Sequence, residues 1–365
     1  MRFRYAKWDE QAGRRMAMRE LTKLFTHLLT QSSGDVGKAL KWMEYLGKRH
    51  GWLPDTAAME EFREHLRDEG LIRENPLTTL PELTDRGETR IRQDAFEELF
   101  TALRRDTVGG EHRTPHAGEG GERLPETRRY EFGDDMADID FTRSIHNAVR
   151  SNGLEGFALA EDDLEVNQRE QAASCATVML VDVSHSMILY GEDRITPAKK
   201  VAMALAEYIR TRYPKDALEV GVFGDDARLV SIRDLPYISA GPYHTNTRAG
   251  LDLAMKVLAG KRQVNKQVFM ITDGKPSAIT ENGMIYKNPF GLDPKIVNQT
   301  INHAVQLRRK DIVLTTFMLT DDPHLVDFVD RLTKANKGRA YYATLDRLGS
   351  FIFMDYVRNK KKRIQ

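Results

Sequence analysis

The sequence predicts an α/β protein: a doubly wound, mostly parallel, Rossmann-like sheet in the C-terminal half, preceded by a mainly helical N-terminal domain. Three observations lead there. Stretches such as CATVMLVD (175–182) and QVFMIT (267–272) are apolar throughout, as strands covered on both faces must be. They alternate with helical segments, the order that parallel pairing through crossover helices requires. The first hundred residues instead repeat their apolar side chains at helical spacing.

Each element follows in order. Met18, Leu21, Phe25, Leu28 and Leu29 share one helical face, and Val36, Leu40, Met43 and Leu46 another. A third helix is expected over Ala57–Glu69, stopped at Gly70, and a long fourth one with Thr84 as its cap. The run EGLI…ELT between them resembles the helix–strand–wing ending of winged-helix modules. The segment Thr107–Tyr130 is glycine-rich and charged, with nothing to bury, and reads as a flexible linker. His112 and His116 within it are expected to be solvated. An acidic stretch (Asp134, Asp135, Asp138, Asp140) then opens a short helix, where carboxylates complement the helix dipole. From Asp163 onward come an edge strand LEVNQRE, the strand CATVMLVD and a helix from Pro197 to Tyr213 capped by Thr196. Strands LEVGVF and ARLV, joined by a turn at Asp225-Asp226, lead to helix Arg248–Leu258 and strand QVFMIT. Helix Pro294–Arg308, strand IVLTTFML, helix Pro323–Ala335, strand RAYY and a terminal helix complete the pattern. The expected domains are residues 1–106 (helical), 107–130 (linker), 131–162 (acidic loop and short helix) and 163–365 (the α/β domain).

Composition excludes several classes. Fifty-five Lys and Arg stand against 54 Asp and Glu, so no chain-wide field recruits nucleic acid or an anionic membrane. Residues 1–108 carry 19 basic and 19 acidic side chains, which disfavours a DNA-reading N-terminal domain. The acidic middle, 109–170, holds 7 basic against 15 acidic, and residues 171–365 hold 29 against 20, so an acidic middle adjoins a basic C-terminal half. The opening MRFRYAKWDE lacks an apolar signal segment and no apolar run is long enough to span a bilayer, so a cytoplasmic location is expected. The single Cys175 permits no intramolecular disulfide and reads as a small core residue. Trp8, Trp42 and Trp52 are expected to anchor the helical domain or a partner.

Chemistry gathers at one place. Asp182-Val-Ser184-His-Ser186 follows the first central strand, where a parallel sheet opens its ligand crevice. Thr245 precedes the next helix, and Asp273 ends the following strand in ITDG. Five oxygen donors, only two of them charged, suit an octahedral Mg²⁺ (or Mn²⁺) that keeps some water, and suit Zn²⁺ poorly. Few ligand charges leave such a cation attractive to an incoming carboxylate.

The run DVSHS, then TNT before a helix, then an apolar strand ending in TDG, resembles a von Willebrand factor A (VWA) domain with a metal-ion-dependent adhesion site, over roughly residues 174–345. The resemblance implies Ser184, Ser186 and Thr245 as direct metal ligands, with Thr247 competing for the threonine role. It implies Asp182 and Asp273 acting chiefly through water, and a partner Glu or Asp at the remaining position. His185 departs from the glycine usual before the second serine. The acidic loop, the helix FTRSIHNAV and the edge strand look like the corresponding region of the magnesium chelatase D subunit. The whole organisation resembles bacterial partners of MoxR-class AAA+ ATPases. The chain has no Walker A motif, since Gly37-Lys38 and Gly260-Lys261 lack the rest, so any ATP hydrolysis would come from a partner.

The leading expectation is therefore a non-enzymatic, Mg²⁺-dependent protein-binding adaptor that captures a partner carboxylate and serves an AAA+ ATPase. The alternatives are a metal- or serine-dependent hydrolase and a DNA-binding regulator. A hydrolase would need a base behind Ser184 and a G-x-S-x-G elbow, and the elbow is absent.

Overall fold

A computed structural model describes residues 10–107, 123–130, 139–153, 159–169, 174–191, 193–273, 275–281, 283–288, 290–319, 322–342 and 347–360. The chain divides into two compact units, Met1–Gly109 with Ser174–Lys362, and Gly110–Ala173 with Arg363–Gln365. The first unit opens with helices α1 (Glu10–Gln31), α2 (Val36–His50) and α3 (Thr56–Asp68), strands β1 (Ile72–Glu74) and β2 (Pro81–Leu83), and helix α4 (Asp85–Thr107). Asp35 and Asp55 cap α2 and α3 by accepting from the N–H of Lys38 and Ala58, each at 2.8 Å. Thr84 caps α4, as expected, by accepting from the Gly87 N–H at 3.0 Å. β1 and β2 pair antiparallel with Ile72 opposite Leu83. Phe25, Leu29, Met43, Phe62, Leu66 and Ile91 fill the space between the helices. Trp42 packs at the edge of this core under Lys38, whereas Trp52 is half exposed and stacks on His50. Trp8 lies outside the described residues.

The second unit contains strand β3 (Arg123–Arg129), helix α5 (Phe141–Asn152) and strand β4 (Glu165–Arg169). β3 and β4 pair with each other as a separate two-stranded sheet, antiparallel, with Arg129 opposite Glu165. This corrects two expectations: part of the presumed linker 107–130 is a strand, and the strand expected at the edge of the large sheet is its partner. The physical reason is polarity. RLPETRR and EVNQR offer too few apolar side chains for a sheet covered on both faces, and Val166 is the buried residue that ties β4 to Ile139. Asp140 caps α5, accepting from Thr142 and Arg143 N–H at 3.0 and 3.1 Å, so a helix start explains it. Asp134, Asp135, Asp138, His112 and His116 lie outside the described residues.

The large sheet belongs to the first unit. Its elements are β5 (Cys175–Asp182), α6 (Ile195–Arg212), β6 (Ala217–Phe223), β7 (Ala227–Val230), α7 (Thr247–Ala259) and β8 (Asn265–Thr272). After a hairpin of β9 (Ala278–Glu281) and β10 (Met284–Lys287) come α8 (Pro294–Arg309), β11 (Ile312–Met318), α9 (Pro323–Asn336), β12 (Arg339–Tyr342) and α10 (Leu348–Lys360). The strand order is β12-β11-β8-β5-β6-β7, parallel throughout except for β7 at the edge. The mixed α/β architecture with a mostly parallel sheet is as expected. The sequence reading missed the β9–β10 hairpin, and it started α6 two residues late. Asp193, rather than Thr196, supplies the capping carboxylate there, at 3.0 Å from the Thr196 N–H.

Strand geometry sends alternate side chains to opposite faces. Met179 and Val181 of β5, with Phe269, Ile271 and Phe317, pack toward α6, α10 and the N-terminal helices. Val178 and Leu180, with Val268, Met270 and Leu314, pack toward α7, α8 and α9. The first of these cores runs without a break into the N-terminal bundle, through Leu205, Ile209, Phe25 and Leu29. At that seam the buried ammonium of Lys199 donates to the carbonyls of Thr30, Ile238 and Pro236 at 2.7, 2.9 and 3.3 Å. Lys200 reaches Glu98 at 2.7 Å across the same seam. The N-terminal helices are thus a wall of the α/β unit.

Candidate metal centre

The switch in strand order lies between β5 and β8: the chain leaves β5 toward β6 on one side and returns to β8 on the other. Loops diverge there beyond the carboxyl ends of the strands, which is where open α/β sheets hold ligands. Asp182 ends β5 and Thr272 ends β8, and the Thr272 hydroxyl donates to Asp182 Oδ2 at 2.6 Å. Asp182 Oδ1 accepts from the Ser184 N–H at 2.8 Å, which turns the chain so that Ser184 and Ser186 face the same point. Their hydroxyl oxygens stand 3.0 Å apart, and Ser186 donates to Asp273 Oδ1 at 2.7 Å. Asp182, Ser184 and Asp273 are buried. Removal from water, followed by the nearby Asp273 carboxylate, pushes the Asp182 carboxyl up to about 7, against the hydrogen bonds from Ser184 and Thr272.

The threonine loop is stitched to both neighbours. His185 N–H donates to the Tyr243 carbonyl at 3.0 Å, which joins the serine loop to the segment before Thr245. Thr245 N–H donates to Ser277 Oγ at 3.0 Å, and the Thr245 carbonyl accepts from the Ser277 N–H at the same distance. Thr247 is the first residue of α7, and both threonines are buried. The Thr245 hydroxyl makes no hydrogen bond among the described residues. The side chain of His185 is exposed. Asp225 and Asp226 form the expected turn between β6 and β7, with Asp225 engaged by His244 and Lys287.

The donor set fits a small hard cation. Octahedral Mg²⁺ at 2.0–2.1 Å from its ligands places neighbouring oxygens about 3 Å apart. The Ser184 and Ser186 hydroxyl oxygens, 3.0 Å apart, stand at that spacing. Hydroxyls and carboxylates are hard donors, and the cluster contains no imidazole or thiolate to favour Zn²⁺. Among the described residues no group of three or more His, Cys, Asp or Glu is arranged around a metal, so a centre here depends on the hydroxyls. Cys175 sits buried at the opposite end of β5.

Two participants escaped the sequence reading. Ser277 holds the threonine loop, and Arg194 forms an ion pair with Asp273 Oδ2 at 2.5 Å. Ser277 stands four residues after Asp273, past the motif. Arg194 follows Ser186 by eight residues, beyond a 3-10 helix over His185–Gly191, so no motif spacing linked it to the site. No described helix is long and apolar enough to cross a membrane.

Comparison with known proteins assigns the fold a family. The chain belongs to the Rv0959-like family: its vWA domain matches residues 175–357 and its third domain residues 122–169. The vWA match thus starts at β5, and the β3–β4 region falls within the separate third-domain match. The chain is 28% identical over 358 residues to the uncharacterized protein Rv0959 of Mycobacterium tuberculosis, covering 91% of this chain and 53% of that one. The uncharacterized protein Mb0984 of Mycobacterium bovis matches to the same extent, so the chain spans about half the length of the curated relatives it matches. Among solved structures, the PilB minor pilin of Streptococcus sanguinis is similar at 14% identity and a TM-score of 0.42, over 54% of this chain and 64% of the pilin. The vWF domain of the type V pili tip protein Mfa5 from Porphyromonas gingivalis gives 13% and 0.41, over 53% of this chain and 98% of that domain.

Proposed function

We propose that this Rv0959-like chain is a non-enzymatic, Mg²⁺-dependent protein-binding adaptor that works in the cytoplasm, with Mn²⁺ as the other ion its oxygen donors accept. Ser184, Ser186 and Thr245 would hold the ion, with Asp182 and Asp273 orienting them. A bound cation supplies a Lewis-acidic position to which an Asp or Glu of a partner adds. The observation that carries this reading is the convergence of Ser184, Ser186 and Asp273 at 2.7–3.0 Å on loops at the switch point of the sheet.

The partner we infer is an AAA+ ATPase of the MoxR-like or chelatase-like kind, or its client. The support is the arrangement of domains, in which these 365 residues carry no Walker A motif of their own. Two observations weigh against the other classes. The Ser184 hydroxyl faces the hydroxyl of Ser186, a group too weakly basic to activate it for hydrolysis. The exposed side of α3 carries Glu60, Glu61, Glu64 and Asp68, while Arg67 is engaged by Glu60 and Glu74, which leaves little to attract phosphates.

An affinity pull-down from native lysate tests the proposal, run with Mg²⁺, with EDTA and with Asp182→Ala, and read by mass spectrometry. An AAA+ ATPase retained only with Mg²⁺ and intact Asp182 is the expected result. The same proteins under all three conditions would move the docking point away from this centre.

A further inference from the structure

We propose that Arg194 is a permanent second cation of this centre, which weakens its hold on a divalent ion and strengthens the pull of that ion on a carboxylate. The inference rests on the metal reading above and deepens it. Arg194 lies immediately before α6, and its backbone N–H donates to the Met187 carbonyl at 3.0 Å, so the residue is anchored to the serine loop itself. Its guanidinium meets Asp273 Oδ2 at 2.5 Å while Asp273 Oδ1 takes the Ser186 hydroxyl at 2.7 Å. The Asp273 side chain is fully buried and that of Arg194 is 14% exposed, so water screens the pair little.

Asp273 is thereby held between two partners. One oxygen is turned to the serines and the other to the guanidinium, so the carboxylate cannot swing to offer both oxygens to an ion. With a cation bound, which favours ionised carboxylates, Asp182, Asp273 and Arg194 sum to one negative charge around it, where the two carboxylates alone would give two. A dication held there keeps more of its own charge. It binds less tightly and attracts an anion more strongly, and a guanidinium nearby adds to that attraction. An ordinary structural ion pair makes a different forecast, since its loss would loosen the loops and weaken both binding steps together.

The test uses the full chain with Arg194→Gln and Arg194→Lys, after circular dichroism melts confirm that both fold. Free Mn²⁺ is followed by electron paramagnetic resonance to obtain its affinity. Acetate is then titrated onto the Mn²⁺-loaded protein, with the relaxation of water protons as readout. Removing a like charge a few ångströms from the ion should tighten Mn²⁺ binding by about tenfold in Arg194→Gln and weaken acetate binding by about fivefold or more. Arg194→Lys, which keeps the charge, should stay within about threefold of the wild type on both. Arg194→Gln weakening both steps, or changing neither, overturns the proposal. Binding of Mn²⁺ by Arg194→Gln but not detectably by the wild type supports it. Binding by neither overturns the metal reading, and this inference with it.

Discussion

Asp182 and Lys199 are both buried charged side chains of one compact unit, and their surroundings differ in kind. Asp182 is surrounded by hydroxyls and a second carboxylate from neighbouring loops, and burial together with Asp273 pushes it up to about 7. Among the described residues Lys199 donates only to main-chain carbonyls, from the end of α1 and from the segment at Pro236 and Ile238, and burial pushes it down to about 8 against the pull of Asp193. The first environment leaves polar side chains aimed at one shared point. The second uses up every donor of the ammonium on backbone drawn from distant parts of the sequence. A buried charge ringed by side chains reads as a site, and one ringed by backbone reads as a joint.

The largest effect should come from breaking the joint. Lys199→Ala leaves a cavity and three carbonyls short of a donor, and should cost about 3–5 kcal/mol in denaturant unfolding. A loss under about 1 kcal/mol would mean that the N-terminal helices are held without it. The same residue gives a pH signature. Its folded-state value lies below that of the unfolded chain, so between about pH 8 and 10.5 the unfolded state binds more protons and this group adds stability as pH rises. The stability gap between wild type and Lys199→Ala should widen across that window. A flat gap would show that Lys199 titrates as an exposed lysine does, and a narrowing gap that folding raises its value instead of lowering it.

A smaller change probes the same joint from the helix end. Gly34 holds φ at +80°, and a Cβ there would fall 2.1 Å from a ring carbon of Tyr237. Gly34→Ala should cost about 1–2 kcal/mol through backbone strain and overpacking. An unchanged melting temperature would show that the turn after α1 can move away from Tyr237. Smallest of all, Tyr237→Phe removes one exposed hydrogen bond, 3.1 Å to Glu88, and should change stability by about 0.5 kcal/mol. A loss of several times that would make the rim as important as Lys199.

The same contrast explains what could be read from the sequence. Apolar strands such as 175–182 and 267–272 announced a doubly covered sheet, and DVSHS, TNT and TDG fell on the loops that such a sheet brings together. Short-range signals of that kind survive folding because strand ends and loop donors are neighbours by topology. The joint is different. Lys199 bonds to residues 169, 37 and 39 positions away, a relation no local pattern encodes. One signal was present: the run VAMALAEYI in α6 is apolar nearly all round, as a helix covered on both sides must be. Its outer cover is the N-terminal bundle, which therefore shares a core with the sheet. Arg194 was hidden for a related reason, since the carboxylate it meets, that of Asp273, lies 79 positions away in sequence.

The central claim is that the hydroxyls and carboxylates at the switch point form a cation site. Isothermal titration of Mg²⁺ into the full chain, compared with Ser184→Ala and Asp182→Asn, addresses it most directly. The wild type should take up one ion per chain. Both variants should bind at least about tenfold more weakly, with unfolding free energies within about 1 kcal/mol of the wild type. Equal Mg²⁺ binding by all three proteins, or none by the wild type, would contradict the account.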